Sequence, residues 1–348
     1  MFVNWHIKII SKIYKNCDTN PEERKKMKKT VSFWSWIFLF MNGVIIKNKY
    51  PEYKDVYKKY LGEDYDFNDD KYSLIISNHI GFFEIVLCMA LYSPGFMAKK
   101  TIEDYYFIGP ISCSLNCHFV NRESKKDKEK NFKLLLERQK LFYEEKNLAP
   151  LVIFPESTCS CGRNILRFKK GAFYSLLPIK PQIVTIDQNS SFHLSVGATN
   201  VILGYFKNLC HTFNIIYVTI LPIIRPTYYM FEHYKNLGKE KWEIYANVVR
   251  KIYCEIGKLQ ETPMGLRDIK RYIKAMTTGF YDPNEIMNYE KENEKDKNNT
   301  EYDNDKDNIL EIKTENVQEN NENFVEKKNK EENKKKKDNI KKIKEKNK

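Results

Sequence analysis

Residues 72–87 read YSLIISNHIGFFEIVL, and the fold class turns on how this stretch is divided. Tyr72 to Ile76 is a short apolar run rich in strand formers. From Phe82 onward, FFEIVLCMALY has the length and residue choice of a buried helix. Between the two, Asn78 suits a helix N-cap and Gly81 suits a turn. This division places His79 on a loop at the end of a strand and Glu84 in the first turn of the next helix. α/β folds usually put their chemistry at such a junction. Taken alone, the stretch reads equally well as a capped helix start with a solvated histidine.

The same alternation continues on either side. Strand-like runs recur at Leu74–Ser77, His118–Asn121, Leu151–Phe154, Ile183–Ile186 and Tyr217–Leu221. Between them, Lys125–Asn147 carries Phe132, Leu135, Leu136, Gln139 and Phe142 at helical spacing with charges elsewhere. KWEIYANVVRKIYCEIGKL, residues 241–259, is a second amphipathic helix. Strands alternating with helices predict an α/β domain over residues 51–282, a layered sheet flanked by helices.

The flanks differ from this core. Of the 348 residues, 42% are hydrophobic and 14% aromatic, which is ample for a sizeable core. The net charge of +13 favours a polyanionic partner. The aromatics lie in apolar runs rather than among the basic residues, and no nucleic-acid motif is recognisable, so an anionic membrane surface is expected and nucleic acid is not. Residues 1–50 are expected to be membrane-associating helices. MFVNWHIKIISKIYK has the pattern of an interfacial helix rather than a secretory signal. Val31–Ile46 is uncharged, carries two tryptophans and is flanked by lysines, yet falls short of the ~20 residues that cross a bilayer. It reads as a re-entrant or monotopic anchor or a short tilted span, with a buried core helix as the plain alternative. From residue 283 to 348 the chain turns to Asn/Lys/Glu low complexity, which predicts a disordered, solvated tail.

Eight cysteines are scattered along the chain. Neither Cys113-x3-Cys117 nor Cys159-x-Cys161 has the spacing of a zinc ribbon, and such usage suits a reducing compartment. Asp303–Thr314 imitates the start of a calcium loop but lacks its turn glycine and final glutamate. No metal is expected.

Three further islands carry polar residues past strand ends. FIGPISCSLNCHFVNR (107–122) reads as a Gly-Pro turn leading to a strand that ends in Asn121-Arg122. LVIFPESTCS (151–160) enters Pro155-Glu156-Ser157-Thr158, and RFKKGAFYSLLPIKPQIV (167–184) leads from basic residues to another strand. Together they offer a base, an orienting carboxylate, a second acid, and a guanidinium whose planar fork suits a phosphate.

At these residues the chain resembles the glycerophospholipid acyltransferase superfamily, which includes the lysophosphatidic acid and lysophospholipid acyltransferases. The family's His-x4-Asp block is matched by His79-x4-Glu84, and its strand-end arginine by Arg122 after Phe119-Val120-Asn121. Its Phe-Pro-Glu-Gly-Thr block is matched by Phe154-Pro155-Glu156-Ser157-Thr158, and its proline-centred block by Leu177–Pro181. TCSCGRNILRFKKGAF (158–173) looks most like the lysophosphatidylcholine and lysophosphatidylethanolamine branch. Four ordered blocks across residues 70–275 make the match specific, where one His-x4-Glu would be worthless.

The resemblance implies an acyl-CoA:lysophospholipid O-acyltransferase. Acyl-CoA is its co-substrate, no further cofactor is needed, and membrane lipids surround it. It also implies a place on a membrane, the endoplasmic reticulum, with the site facing the cytosol. His79 would be the general base and Glu84 its orienting acid. Arg122 and the 154–158 block would hold the phosphate and glycerol end of the acceptor, with Glu156 on the glycerol hydroxyl or orienting Arg122. Lys169 or Lys170 would add charge to the phosphate or CoA site, or simply form a solvated face. Two departures bear on efficiency and substrate preference. Glu84 is one methylene longer than the usual Asp, and Ser157 replaces a glycine, which strains the turn if it needs positive φ. A glycerol-3-phosphate acyltransferase, a lipid hydrolase and a weakly active lysolipid-binding or scaffold relative remain as other readings.

Overall fold

A computed structural model describes residues 21–105, 108–120, 125–145, 148–186, 210 and 213–278. The expected interfacial helix at the extreme N-terminus and the low-complexity tail lie outside these residues.

Seven strands form one sheet: β1 (Val44–Asn48), β2 (Leu74–Ser77), β3 (Gly95–Lys99), β4 (His118–Val120), β5 (Leu151–Ile153), β7 (Ile179–Ile186) and β8 (Asn214–Ile220). A second, two-residue pair joins β6 (Asn164–Ile165) to β9 (Gln260–Glu261). The order in the large sheet is β1-β8-β7-β2-β5-β3-β4. From β7 to β4 all neighbours run parallel, whereas β8 is antiparallel to β7 and β1 follows β8 in parallel. The parallel strands therefore deliver their carboxyl ends to one side. β2 is central and buried at all four positions, as expected of a parallel strand covered on both faces.

Eight α-helices lie among the described residues: α1 (Pro21–Met41), α2 (Lys54–Leu61), α3 (Phe83–Tyr92), α4 (Ile108–Ser114), α5 (Lys125–Glu145), α6 (Tyr228–His233), α7 (Lys241–Gly257) and α8 (Leu266–Thr278). Strand residues alternate between two apolar layers. Leu74, Ile76, Leu151, Ile153 and Ile183 join Tyr245, Val249, Ile252 and Tyr253 of α7 in the larger core. Val184 and Ile186 pack with Leu39 of α1 and Phe83 and Leu87 of α3, while Ile75 and Val152 meet Cys88 of α3. The result is a three-layer α/β/α domain around a mixed sheet. Helix α7 begins at a capping box in which Glu240 and Glu243 satisfy each other's backbone N–H groups.

Three expectations are corrected. Val31–Ile46 is not one segment: helix α1 ends at Met41, the chain turns at Gly43 (φ +63°), and Val44–Asn48 becomes an edge strand. No helix among the described residues is long and apolar enough to cross a membrane. Within α1, Val31, Ser35 and Leu39 are buried at four-residue spacing, and Ser32 Oγ donates to the Ala90 carbonyl at 2.6 Å, fastening the helix to α3. Its other face leaves Phe33, Trp34, Trp36, Phe40 and Met41 exposed. Gly109-Pro110 is not a free turn but part of the first turn of α4, where a proline's missing N–H costs nothing. Asn78 does not cap α3: Phe82 occupies the N-cap position and no side-chain cap is made.

Candidate active site

Asn78 instead ties the strand-to-helix loop to the sheet. Its Nδ2 donates to the Val184 carbonyl and its Oδ1 accepts from the Val184 N–H, both at 2.8 Å, in a fully buried setting. A side chain that satisfies both polar atoms of one backbone residue fixes the loop's position and leaves neither group unpaired. The next residue, His79, thus leaves the carboxyl end of β2 in a set direction.

Glu84 reaches back from the first turn of α3, where a carboxylate also suits the helix dipole. It is completely buried. Its Oε1 is hydrogen-bonded to His79 Nδ1 and accepts from the Ile80 N–H at 3.2 Å. Its Oε2 has no hydrogen-bond partner and is shut away from solvent. The extra methylene of glutamate therefore does not prevent the contact expected of the family's aspartate. The imidazole lies face to face with Phe154, ring centres 4.3 Å apart and 16° from parallel, and Phe154 is stacked in turn on Phe96. The ring is held on one nitrogen and one face, yet 17% of its side chain remains exposed.

Electrostatically, burial pulls the His79 pKa down. The Glu84 carboxylate opposes this, aided by hydrogen bonds to Cys159 and Glu84, and the net direction is upward. The pair therefore holds its proton to higher pH than a free imidazole does.

Glu156 lies behind the main chain of His79. It is fully buried, and its two oxygens accept from the His79 N–H and the Leu166 N–H, each at 2.9 Å. Both oxygens are engaged inside the protein, so Glu156 braces the main chain at His79 and Leu166. Burial pushes its pKa up to about 7, against the two backbone donors and the nearby His79 and Arg250 charges. A further bond, from the Ser160 N–H to the His79 carbonyl at 2.7 Å, closes the loop against the 154–160 segment.

The turn that carries this segment is tight: the Ser157 N–H donates to the Phe154 carbonyl at 3.0 Å, and Ser157 sits at φ +60°. A left-handed conformation is where glycine is favoured, so the serine is a source of strain. Pro155 is buried and Thr158 half-buried. The Lys169 N–H donates to the Pro155 carbonyl at 2.8 Å, which places its backbone beside the turn. Lys170 lies over the Phe132 ring, 5.1 Å from its centre. Arg122 lies outside the described residues.

Two features were not singled out from sequence. The buried Asn78 doublet is invisible without the partner strand, because Val184 is remote in the chain. The second is Cys159, one of the groups that push the His79 pKa upward; its place directly after Thr158 was the only available signal.

Residues 55–187 match the family model described as Acyltransferase, a span that contains His79, Glu84, Arg122 and the whole 154–158 block. Among similar proteins is the lysophospholipid acyltransferase LPEAT1 of Arabidopsis thaliana, 29% identical over 209 residues, covering 59% of this chain and 49% of that protein. A lysophosphatidylcholine acyltransferase of Drosophila melanogaster is 21% identical over 223 residues, covering 64% of this chain and 40% of that protein. The chain thus spans half or less of the length of these relatives. A solved structure similar to it is that of the 1-acyl-sn-glycerophosphate acyltransferase PlsC from Thermotoga maritima. That match has 16% identity and a TM-score of 0.45, covering 75% of this chain and 97% of that one.

Proposed function

We propose that the acyltransferase domain moves a fatty acyl group from acyl-CoA to the free hydroxyl of a lysophospholipid, with His79 as general base. The observation that carries this reading is the buried Glu84 held against Nδ1 of a histidine whose ring is stacked on Phe154 and still partly open. A ring pinned at Nδ1 has its other nitrogen for a substrate proton. The relatives named as lysophospholipid acyltransferases support the acceptor class.

In this mechanism His79 takes the hydroxyl proton as the lysolipid oxygen attacks the thioester carbonyl. The tetrahedral adduct collapses, the coenzyme A thiolate leaves, and the imidazolium returns the proton to it. Glu84 stabilises the imidazolium that forms in between, the role of the acid in a serine-type triad. Glu156 acts through the backbone, fixing where the His79 main chain lies. Arg122 is assigned to the acceptor phosphate because a guanidinium fork pairs with it in two places.

The exposed aromatic face of α1 fits the same reading. Phe33, Trp34, Trp36, Phe40 and Met41 form an apolar patch beside exposed Lys26, Lys28 and Lys29. Tryptophan over an apolar face with lysines alongside suits insertion into an anionic lipid surface, where the acceptor resides. The deciding experiment is acyl-CoA-dependent conversion of a lysophospholipid panel by detergent-solubilised protein, with His79→Ala alongside. General-base loss should lower turnover by about 10²–10⁴-fold. Undiminished turnover in the variant would remove His79 from the mechanism, and acylation of glycerol 3-phosphate alone would change the acceptor class.

A further inference from the structure

Helix α8 (Leu266–Thr278) reads LRDIKRYIKAMTT, and around the helix axis its side chains divide cleanly by type. Leu266, Ile269, Tyr272, Ile273 and Met276 follow one another at three- and four-residue spacing along one side. Arg267, Lys270, Arg271 and Lys274 lie on the other, against a single carboxylate in the helix, Asp268. An apolar stripe of this kind ordinarily faces the core. That of α7 does so, burying Ile244, Val248, Val249 and Ile252. That of α8 does not. From 266 to 275 no residue is buried; Leu266, Ile269 and Ile273 are half-covered, and Tyr272 is 55% exposed.

The root of the helix is nevertheless fixed. The Gly265 N–H donates to Asp268 Oδ2 at 2.6 Å, and the Arg167 N–H donates to the Met264 carbonyl at 2.9 Å. The Arg250 guanidinium donates to the Ile165 carbonyl at 2.9 Å and to the Thr262 carbonyl. Leu166, between these contacts, is the residue whose N–H is held by Glu156, which also holds His79. A helix fixed at its root with an uncovered apolar side offers that side to a partner outside the fold.

We propose that α8 is an interfacial helix that lays its apolar side into an anionic lipid bilayer surface. Charge selects this covering over a second copy of the chain. Four cations against one anion on the helix, with exposed Arg163 and half-buried Arg167 in the segment that pairs with its root, repel an identical surface and attract acidic head groups. An apolar stripe bordered by lysine and arginine has both its sides satisfied at once where hydrocarbon meets charged head groups. Tyr272, with an apolar ring and a polar tip, suits the same boundary. This contact is separate from the aromatic face of α1, and it stands whether or not the chain acylates a lysolipid.

The test uses the full-length chain with Trp34, Trp36 and Phe40 replaced by serine, so that α1 no longer supplies its aromatic face. The probes are vesicles of phosphatidylcholine alone and of phosphatidylcholine mixed with phosphatidylserine. The protein should sediment with the mixed vesicles only, less so as salt rises, and these vesicles should slow amide hydrogen exchange over residues 266–278. Ile269→Ser with Ile273→Ser should weaken partitioning by about tenfold. Lys270→Gln with Lys274→Gln should weaken it by a similar factor, about tenfold, with the urea midpoint of both variants nearly unchanged. Undiminished partitioning in either variant, or equal binding to phosphatidylcholine alone, would overturn the proposal. So would exchange over 266–278 that is already slow without vesicles, since another segment or a second copy would then cover the helix. Binding is measured without substrate, so a failure of acyl transfer bears on the function reading alone.

Discussion

At the carboxyl end of β2, Asn78, Glu84 and Glu156 are polar side chains with essentially no exposure, and all but one of their oxygens are hydrogen-bonded. On α1, Phe40 and Met41 are apolar side chains left 83% and 78% exposed. Each region does what a stable core avoids, and each does it for a different reason. A buried carboxylate is costly unless its bonds are made, so the chain supplies backbone N–H groups from three directions and obtains a rigidly held His79 in return. An exposed aromatic face is tolerated where another apolar phase covers it. On the proposed function, chemistry and membrane attachment are thus separated, and substitutions should affect one without the other.

The largest effect is expected at Glu84. Glu84→Gln removes the charge that raises the His79 pKa and allows the wrong tautomer, so kcat should fall on the order of 10³–10⁴-fold. Because the carboxylate holds the proton on His79 to higher pH, the acid limb of the remaining activity should move to lower pH. A pH–rate profile of both proteins checks both statements, and vesicle binding should not change. Next is the aromatic face. Replacing Trp34, Trp36 and Phe40 together by serine should weaken partitioning onto anionic vesicles by about 10–100-fold, measured by sedimentation, with turnover in detergent unaltered. Loss of detergent turnover in that variant would break the separation between the two regions.

Smaller effects probe the rigidity of the site. Asn78→Ala leaves the Val184 N–H and carbonyl unpaired in the core and should cost about 1–3 kcal/mol in denaturant unfolding, with kcat falling more than KM rises. Ser157→Gly should act in the opposite direction. Relief of the left-handed serine is partly offset by the flexibility glycine adds to the unfolded chain, leaving a gain of up to about 1 kcal/mol.

How much of this was legible in the sequence followed from how local each signal was. Leu74–Ser77 was readable as a strand because a buried parallel strand is a short apolar run bounded by breakers. Helices α5 and α7 were readable from periodicity. β1 was hidden because its apolar residues continue those of α1, so that composition alone joined two elements that Gly43 separates. β3, sequence GFMAK, has neither alternation nor a β-branched residue and is a strand by virtue of its neighbours β5 and β4. In the site, His79 with Glu84 was legible because the two are five residues apart across one turn. Ser157 was legible as a conditional: a glycine position implied positive φ, and φ is positive. The bracing contacts of Glu156 were not legible, because its burial and partners can be known only once residues 79, 156 and 166 are brought together.

That last contact has a consequence for how the site comes into being. Glu156 reaches across 77 residues of chain to hold the His79 N–H, and across 10 to hold that of Leu166. Closing the longer loop requires β5 to have paired with β2, a non-local event that comes with an entropic cost before it returns any stabilisation. A nascent chain that has emerged only as far as α3 already contains both His79 and Glu84, yet it has nothing to hold the main chain of the base. The braced His79 is therefore a property of the completed sheet, and a partly folded molecule gains no fraction of it.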